Sequence, residues 1–311
     1  MTMDSKPLFA KVALLGIGLI GASMAHAMRR AGLAAHIAGF ARSPETLEAA
    51  ERVGFADSLH DDPRAAVRDA DFIVLATPVG AFEELTKEIA PNLKRGAIVS
   101  DVGSVKTAVI GAVAPYLPEG VHFVPAHPIA GTEQSGPEAG FAELFDGRWC
   151  VLTPPAGTDP QAIETVKTFW RRCGSEVEVM DAKHHDLVLA ITSHVPHLIA
   201  YNIVGTADDL EAVTQGEVIK YSAGGFRDFT RIAASDPTMW RDVFLNNREA
   251  VLEMLGRFSE DLTALQRAIR WGDGEALFNL FTRTRAIRRS IIDAGQDTEA
   301  PNFGRSRARR S

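Results

Sequence analysis

The chain of 311 residues carries 33 lysines and arginines against 40 aspartates and glutamates, a formal net charge of −7. This acidic balance argues against a general nucleic-acid-binding surface. With 46% hydrophobic, 23% charged and 7% aromatic residues, the composition is that of an ordinary globular protein, which excludes disordered, collagen-like and coiled-coil classes. The length predicts about two domains.

The two cysteines, Cys150 and Cys173, are too few for a disulfide framework or a four-thiolate zinc site, so we expect a cytoplasmic protein. Residues 8–28 are apolar enough to resemble a secretory signal, with Ala25-His26-Ala27 as an imitation of its cleavage site. The glycine spacing inside this run and Asp4 before it indicate instead that the run is part of the folded protein and not a signal peptide. Elsewhere we find no run of about 18 apolar residues, so we expect no membrane contact.

The first half of the chain predicts alternating strands and helices. Short apolar runs bounded by turn residues predict strands, and Ser43 with Pro44 predicts a helix start, because serine caps helices and proline favours their first position. The predicted strands are Lys11–Leu15, His36–Phe40, Asp71–Ala76, Ala97–Asp101, His122–Ala126 and Trp149–Leu152. This pattern predicts an α/β fold with a doubly wound, Rossmann-type parallel sheet covered by helices on both faces.

Beyond about Asp181, helical periodicity replaces the strands, and we predict an all-helical second half. We expect a dinucleotide-binding domain over residues 7–180 and a helical domain over residues 181–298. A basic tail without apolar anchors, residues 299–311, is expected to be disordered.

Gly16-Ile17-Gly18-Leu19-Ile20-Gly21 matches the GxGxxG spacing directly after a predicted strand and at the start of a predicted helix. In this context Gly16 makes the tight turn, Gly18 lets the backbone approach a pyrophosphate, and Gly21 lets helix and strand pack closely. The motif predicts a dinucleotide site that includes Leu19 and Ile20. A glycine-rich turn without a ligand is the alternative.

The end of the second predicted strand bears on the choice of cofactor. A carboxylate there would bind the adenosine ribose and repel a 2′-phosphate, but the sequence is Ala41-Arg42-Ser43. Because Arg42 and Ser43 can donate to a phosphate, we predict NADP in preference to NAD. A solvated Arg42 is the alternative. Thr77 and Pro78, directly after the next apolar strand, complete the predicted cofactor-binding residues.

Four of the nine histidines cluster in two segments, His184-His185 and His194-Val195-Pro196-His197. Zinc needs a third ligand at suitable spacing, and Pro196 interrupts a regular helical presentation, so we expect no metal. His127 follows a predicted strand at the edge where open α/β sheets bind ligands. Its location predicts a catalytic histidine, with a structural loop histidine as the alternative.

Four further segments lie in series after the glycine motif. They are Asp101-Val102-Gly103-Ser104-Val105-Lys106, Ala126-His127-Pro128-Ile129-Ala130-Gly131-Thr132-Glu133, Ser193-His194-Val195-Pro196-His197 and Asp228-Phe229-Thr230-Arg231-Ile232-Ala233. Together they resemble the prephenate/arogenate (cyclohexadienyl) dehydrogenases, from about Lys11 to Ile292. The resemblance implies oxidative decarboxylation of prephenate or arogenate with hydride transfer to NAD(P), on the way to tyrosine.

The resemblance implies a role for each matching residue. His127 occupies the position of the group that accepts the ring hydroxyl proton, a task that suits a neutral imidazole. Ser104 matches a serine that hydrogen-bonds in the same site, with helix capping as its alternative. Arg231 matches the arginine that binds the substrate carboxylate, with a surface ion pair as its alternative.

Other matching residues are expected on the substrate side. His197 matches a second histidine near the substrate, whereas we assign His194 a structural role. Trp240 sits where relatives place an aromatic residue near the ring pocket, with core packing as the alternative. Thr132 and Glu133 are expected to line the cofactor side or to gate the substrate pocket, with loop capping as their alternative.

The resemblance also implies a homodimer formed through the helical half, and tyrosine as an inhibitor that competes for Arg231. Two other functions stay open. A β-hydroxyacid dehydrogenase would use a lysine in the helical half, where Lys183 and Lys220 lie in no recognisable catalytic motif. A non-catalytic NAD(P)-binding sensor would bind nucleotide without turnover, and the joint presence of the matching histidines, serine and arginine argues against it.

Overall fold

The computed structural model describes residues 6–132, 134–210, 221 and 223–293. The chain forms two compact units, which divide between Leu252 and Glu253. The domain boundary predicted between residues 180 and 181 falls inside the first unit, where strands give way to helices, and it stays a prediction. The predicted tail, residues 299–311, lies outside the described residues.

In the described ranges, nine strands form two sheets. The strands are β1 (Phe9–Leu15), β2 (Ala34–Phe40), β3 (Ser58–His60), β4 (Phe72–Leu75), β5 (Ile98–Asp101), β6 (His122–Phe123), β7 (Ala126–Pro128), β8 (Trp149–Leu152) and β9 (Glu176–Val179). The first six strands are all parallel and follow the order β3-β2-β1-β4-β5-β6. In the second sheet β8 pairs antiparallel with β7 and parallel with β9.

Helices connect and follow the strands. They are α1 (Leu19–Ala31), α2 (Pro44–Val53), α3 (Pro63–Val67), α4 (Phe82–Ile89), α5 (Thr107–Val113), α6 (Pro160–Arg172), α7 (Ala182–Leu189), α8 (Val195–Asp209), α9 (Gly224–Thr230), α10 (Pro237–Asn246), α11 (Arg248–Trp271) and α12 (Gly274–Asp293). The predicted start of α2 is confirmed, because the Ser43 hydroxyl accepts a hydrogen bond from the Thr46 backbone N–H and Pro44 is the first helical residue.

Both faces of the six-stranded sheet are buried. Along β1, Val12 and Leu14 belong to one apolar cluster, whereas Ala13 and Leu15 belong to the other. Helices α1 and α6 complete the first cluster, and α4, α5 and α10 complete the second. A parallel strand buried on both sides reads as a continuous apolar run, which is the pattern that predicts it. The doubly wound α/β fold is therefore confirmed.

The prediction of one strand over His122–Ala126 is wrong in detail. The chain leaves the first sheet after β6, and Ala126 begins β7 in the second sheet, whose neighbour is β8. Pro125 separates the two strands, because proline has no N–H to donate to a ladder, while its carbonyl accepts from the Thr153 backbone N–H at 3.0 Å. His127 thus lies inside a strand of the second sheet and not beyond the end of a strand of the first.

One helical stretch, Ala182–Asp209, is long and apolar enough to cross a membrane by length and composition, with a mean hydropathy of 1.5. It covers α7, a widened turn and α8. A single stretch of this kind is weak grounds for a membrane span, because core helices of folded proteins pass the same test. This one carries three of the histidines that form the site described next.

Candidate active site

The glycine turn connects β1 to α1. Gly16 has a φ of +110°, a conformation that favours glycine, and a Cβ there would lie 2.5 Å from the carbonyl carbon of Ala76. A Cβ on Gly21 would lie 2.1 Å from the Gly16 carbonyl oxygen, so the turn and the helix approach too closely for any side chain. By contrast, no described atom lies within 4 Å of a Cβ built on Gly18. The tight turn, the close packing and the open side fall on the three glycines as the motif predicts.

The start of α1 fits the phosphates of a dinucleotide. Gly18 caps the helix and offers no side-chain acceptor, and the half-buried Leu19 and Ile20 supply its first backbone N–H groups. Thr77 adjoins the turn, since its backbone nitrogen lies 2.7 Å from a Cβ built on Gly16. The Thr77 hydroxyl oxygen is buried and has no hydrogen-bond partner in the described part of the chain. Backbone donors, open space and an unsatisfied hydroxyl together suit a phosphate-bearing ligand.

The two residues predicted to bind the adenosine end of the cofactor, Arg42 and Ser43, make different contacts. Arg42 is exposed and lines a cavity of about 470 Å³ together with Pro78 and Arg241. Ser43 does not point its hydroxyl proton at this space, because that hydroxyl donates to the Glu45 carboxylate while capping α2. Of the two side chains predicted to donate to a 2′-phosphate, Arg42 is therefore the one that lines the cavity.

A buried ion pair holds the strand that carries His127. Lys106 and Asp101 are both fully buried, and the Lys106 ammonium donates to the Asp101 carboxylate and, at 2.7 Å, to the Ala126 carbonyl. The same carboxylate accepts the backbone N–H of Ala126 at 3.1 Å and that of Gly103 at 2.8 Å. Burial raises the pKa of Asp101 and lowers the pKa of Lys106. The pair fixes β7, and thus His127, against the carboxyl end of β5.

His127 is 7% exposed and belongs to a chain of three hydrogen-bonded side chains. Its Nδ1 lies 2.8 Å from Nε2 of His185, whose own Nδ1 lies 2.9 Å from Oδ1 of Asp186. Burial, followed by the neighbouring His185 ring and the Lys106 charge, holds the pKa of His127 well below its ordinary value. The imidazole of His127 is therefore neutral near neutral pH, the state that a proton acceptor requires.

His194 is fully buried next to this chain. Its Nδ1 accepts a hydrogen bond from the Asn247 side-chain amide at 3.1 Å, and the same amide donates to the Asp186 carbonyl at 2.8 Å. Burial, followed by His185, lowers the pKa of His194 to about 4, although the backbone of Ser104 partly opposes the shift. The backbone of Ser104 therefore adjoins His194, and the residue is half-buried. The predicted role of its hydroxyl stays a prediction.

His197, Trp240 and Arg231 lie together. The rings of His197 and Trp240 stack with centroids 3.7 Å apart and planes 24° apart, and the Arg231 charge contributes to lowering the pKa of His197 after burial. Arg231 is half-buried in the short turn Arg231–Ala234. Trp240 also belongs to the second apolar cluster, which packs under α4, α5 and α10. Its ring therefore contacts both the core and the predicted substrate-side histidine, His197.

A widened helical turn presents the two histidines to the same tryptophan. Residues Ala190–His194 form a π-helical turn before α8, and Pro196 lies in the first turn of that helix. Proline removes one backbone donor, and single wide turns of this kind are frequent at functional sites. His194 approaches Trp240 edge-on at 6.1 Å between ring centroids, whereas His197 stacks on its face.

The remaining predicted residues are less informative. The Thr132 hydroxyl accepts the Gln134 backbone N–H at 3.2 Å, which is the loop-capping contact given as its alternative. Glu133 lies outside the described residues. Over the described residues, no group of three or more His, Cys, Asp or Glu side chains is arranged to hold a metal ion.

Sequence reasoning missed five members of this site: Asp101, Lys106, His185, Asp186 and Asn247. Two signals were available for them. Asp101 and Lys106 frame the segment around Ser104, and His185-Asp186 is an adjacent pair whose side chains can hydrogen-bond to each other. For His185 the cluster of histidines suggested only zinc, because nothing in the sequence joins this residue to His127.

Comparison with known proteins decides the family. The nucleotide-binding domain model of prephenate dehydrogenase matches residues 24–179, and the dimerization domain model of prephenate dehydrogenase matches residues 181–283. Cyclohexadienyl dehydrogenase of Zymomonas mobilis is 40% identical over 283 residues, which are 91% of this chain and 96% of that protein. The chain belongs to the prephenate dehydrogenase family.

Solved structures of the family share the fold. The crystal structure of prephenate dehydrogenase from A. aeolicus in complex with hydroxyphenyl propionate and NAD+ has a TM-score of 0.85 at 34% identity, over 93% of this chain and 100% of that one. Arogenate dehydrogenase from Synechocystis has a TM-score of 0.75 at 27% identity, over 90% and 99%. The resemblance in the sequence is confirmed, and the protein is an oxidoreductase of this family.

The low pKa of His194 predicts a loss of stability in acid. An unfolded histidine takes up a proton near pH 6.5 and the folded one only near 4, so the unfolded state binds more protons between these values. As far as this group is concerned, the free energy of unfolding has its full value above pH 6.5. It falls by about 3 kcal/mol as the pH drops towards 4. His194→Asn keeps an acceptor for Asn247 and should shrink the fall in the free energy of unfolding by about this amount. Urea unfolding of both proteins across this pH range measures it, and parallel curves would contradict the assignment.

Proposed function

We propose that this protein oxidises and decarboxylates prephenate, arogenate or both, with a nicotinamide dinucleotide as hydride acceptor. The observation that carries the proposal is the buried His127, held at the carboxyl end of β5 beside the edge that bears the glycine turn. Strands β1, β4 and β5 are neighbours, so the residues after each of them share one edge of the sheet. The family relatives support the same reaction.

The chemistry assigned to His127 is the acceptance of the ring hydroxyl proton. When bound, the nicotinamide supplies the acceptor for the hydride that leaves the same ring carbon. Loss of the ring carboxylate as CO2 then makes the ring aromatic, which drives the step. His127 suits its part because burial keeps the imidazole neutral. Ser104, whose backbone adjoins the neighbouring His194, is the residue we assign to orient the hydroxyl.

The substrate is an anion, and an acidic protein needs a local cation to bind it. Arg231 is the residue we assign to the substrate carboxylate, since a guanidinium can make two parallel hydrogen bonds. The stacked rings of His197 and Trp240 lie next to it, and we place the substrate ring beside them. Tyrosine has a carboxylate and a ring of the same kind, so we propose that it inhibits by competing for this place.

The cofactor we propose is NADP, with NAD as the competing choice. The support is the exposed guanidinium of Arg42 beside the cavity and the lack of a carboxylate at the end of β2, whose last residue is Phe40. Ser43 supports the proposal less, because its hydroxyl is engaged with Glu45.

A lysine-based mechanism has little support. Of the two lysines beyond Lys167, Lys183 is exposed at the start of α7 and Lys220 lies outside the described residues. Nothing observed favours a β-hydroxyacid dehydrogenase over the reaction proposed here. A protein that only bound nucleotide would not need the buried, hydrogen-bonded side chains of His127, His185 and Asp186.

We also propose a cytoplasmic homodimer formed through the helical half. Helix α12 has no buried residue, and several large apolar side chains of α11 and α12 are exposed in the single chain. They are Leu262, Ile269, Trp271, Phe278, Phe281, Ile287 and Ile291. An apolar surface of this extent is usually covered by a partner, and the matching family model is a dimerization domain.

Replacing His127 by Asn should lower kcat by roughly 10²- to 10⁴-fold and leave nucleotide affinity nearly unchanged, because the proton acceptor is lost and the dinucleotide site is not. Arg231→Ala should mainly raise KM for the substrate. A steady-state assay of prephenate and arogenate, each with NAD and NADP, measures both effects. His184→Asn and Arg227→Ala, which change exposed neighbours, are the controls. Wild-type kinetics in either test variant would remove its assigned role, and absence of turnover with all four pairs would refute the function.

Arg42→Ala should lower kcat/KM with NADP by roughly tenfold or more and leave the value with NAD within about twofold, since only NADP carries the phosphate that the guanidinium would bind. Arg52→Ala removes an exposed arginine at the end of α2 and is the control. Equal losses with both cofactors, or a wild-type preference for NAD, would contradict the proposal.

Light scattering at micromolar concentration should give about twice the chain mass of 33.6 kDa. Phe278→Glu places a charge among the exposed apolar side chains and should shift the protein towards the monomer, because burying an unpaired carboxylate is costly. A monomeric wild-type protein would refute the dimer.

A further inference from the structure

The side chains of His185 and Asp186 have no assigned role in the proposed reaction. Both are buried, and they form a hydrogen-bonded chain that ends on His127. His185 is fully buried and Asp186 is 4% exposed. The rings of His127 and His185 meet edge-on, with centroids 5.1 Å apart and planes 68° apart, so that one nitrogen of each faces the other. This geometry decides where the protons of both rings must lie.

The direction of the hydrogen bonds starts at Asp186. Its Oδ1 accepts the Lys106 backbone N–H at 2.8 Å and its Oδ2 accepts the Thr107 backbone N–H at 2.9 Å. Although burial opposes it, these bonds and the one from His185 lower the pKa of Asp186. An ionised carboxylate only accepts hydrogen bonds, so the proton between Asp186 and His185 belongs to Nδ1 of His185.

The next step follows from the neutrality of His185. Burial lowers its pKa in spite of the neighbouring carboxylate, so the ring carries one proton, and that proton is on Nδ1. Its Nε2 then has a lone pair and accepts. The hydrogen bond at 2.8 Å therefore requires His127 to donate from its own Nδ1, which leaves the lone pair of His127 on Nε2.

We propose that His185 and Asp186 are positioning residues that fix the proton of His127 on Nδ1 and thereby present the basic lone pair at Nε2. The inference rests on the proposed role of His127. In the reaction the O–H bond of the substrate hydroxyl breaks, and its proton forms a bond to Nε2 of His127. The resulting imidazolium donates from Nδ1 to His185, which in turn donates to the negative charge of Asp186. Orientation by a carboxylate through one imidazole is a known device, and here it acts through two.

The charged and titratable groups around this chain come from four elements, and the buried Cys150 thiol, whose pKa is raised by burial, lies beside them on β8. Asp101 ends β5, Lys106 precedes α5, Asp186 is on α7 and His194 precedes α8. The Lys106 charge opposes an imidazolium at His127, and its contact with Asp101 offsets that charge. A positively charged His127 is thus hydrogen-bonded, through His185, to the carboxylate of Asp186.

Kinetics of three variants separate positioning from mere packing. His185→Leu removes the acceptor for Nδ1 of His127 and should lower kcat by roughly 10²- to 10³-fold, with KM for substrate within about threefold. His185→Gln keeps a carbonyl acceptor and should retain kcat within about tenfold of wild type. His184→Gln, on the exposed side of α7, should behave as wild type. Equal losses in the Leu and Gln variants, or no loss in the Leu variant, would overturn the proposal.

A measurement without substrate tests the proton positions directly. In protein labelled with ¹⁵N in its histidine rings, we expect Nδ1 of His127 to carry the proton and Nε2 to have the shift of an unprotonated nitrogen. His127→Gln assigns the signals by their loss. In His185→Leu the proton of His127 should move to Nε2, the form that neutral imidazoles prefer in water. A proton on Nε2 of His127 in the wild type would refute the positioning role, whatever the activity.

The two failures are distinguishable. The expected ring protonation without turnover of prephenate or arogenate would refute the proposed function and leave the positioning of His127 intact. Turnover with the proton on Nε2 of His127 would refute the positioning and leave the function intact.

Discussion

The buried ion pair between Lys106 and Asp101 connects the two sheets of the first unit. Taking two charges out of water is costly, and the cost is offset only where geometry and additional hydrogen bonds are good. Here the carboxylate accepts two backbone N–H groups besides the ammonium, and the ammonium also reaches the Ala126 carbonyl. Because one of these backbone groups belongs to the residue before His127, the position of the His127 imidazole depends on the pair.

The same segment connects α7 and the end of α10 to the site. The backbone N–H groups of Lys106 and Thr107 donate to Asp186, and Asn247 donates to the Asp186 carbonyl and to His194. Buried polar groups are stable only when they are satisfied, so these bonds leave few alternative arrangements for the histidines. Burial of the two rings lowers the pKa values of His127 and His194, so both are uncharged at neutral pH.

The two compact units differ in how they satisfy their apolar residues. The first unit buries both faces of its main sheet under its own helices. In the second unit, α12 buries none of its residues within the single chain, although it has the alternation of apolar and charged residues of an amphipathic helix. His127, His185 and Asp186 all lie in the first unit, whereas α12 of the second unit leaves its large apolar side chains exposed in the single chain.

The sequence by itself determined the nucleotide-binding half and the family. Strand and helix periodicity, the glycine spacing and the capping of α2 by Ser43 depend on neighbouring residues, so they can be read from a short stretch of chain. The segments around Ser104, His127, His197 and Arg231 were sufficient to indicate the dehydrogenases. Only the tertiary structure moved His127 into a second sheet, stacked His197 on Trp240 and joined His127 to His185. The two histidines of that pair are 58 residues apart in the chain, and hydrogen bonds over such a separation form only after the strands and helices have packed.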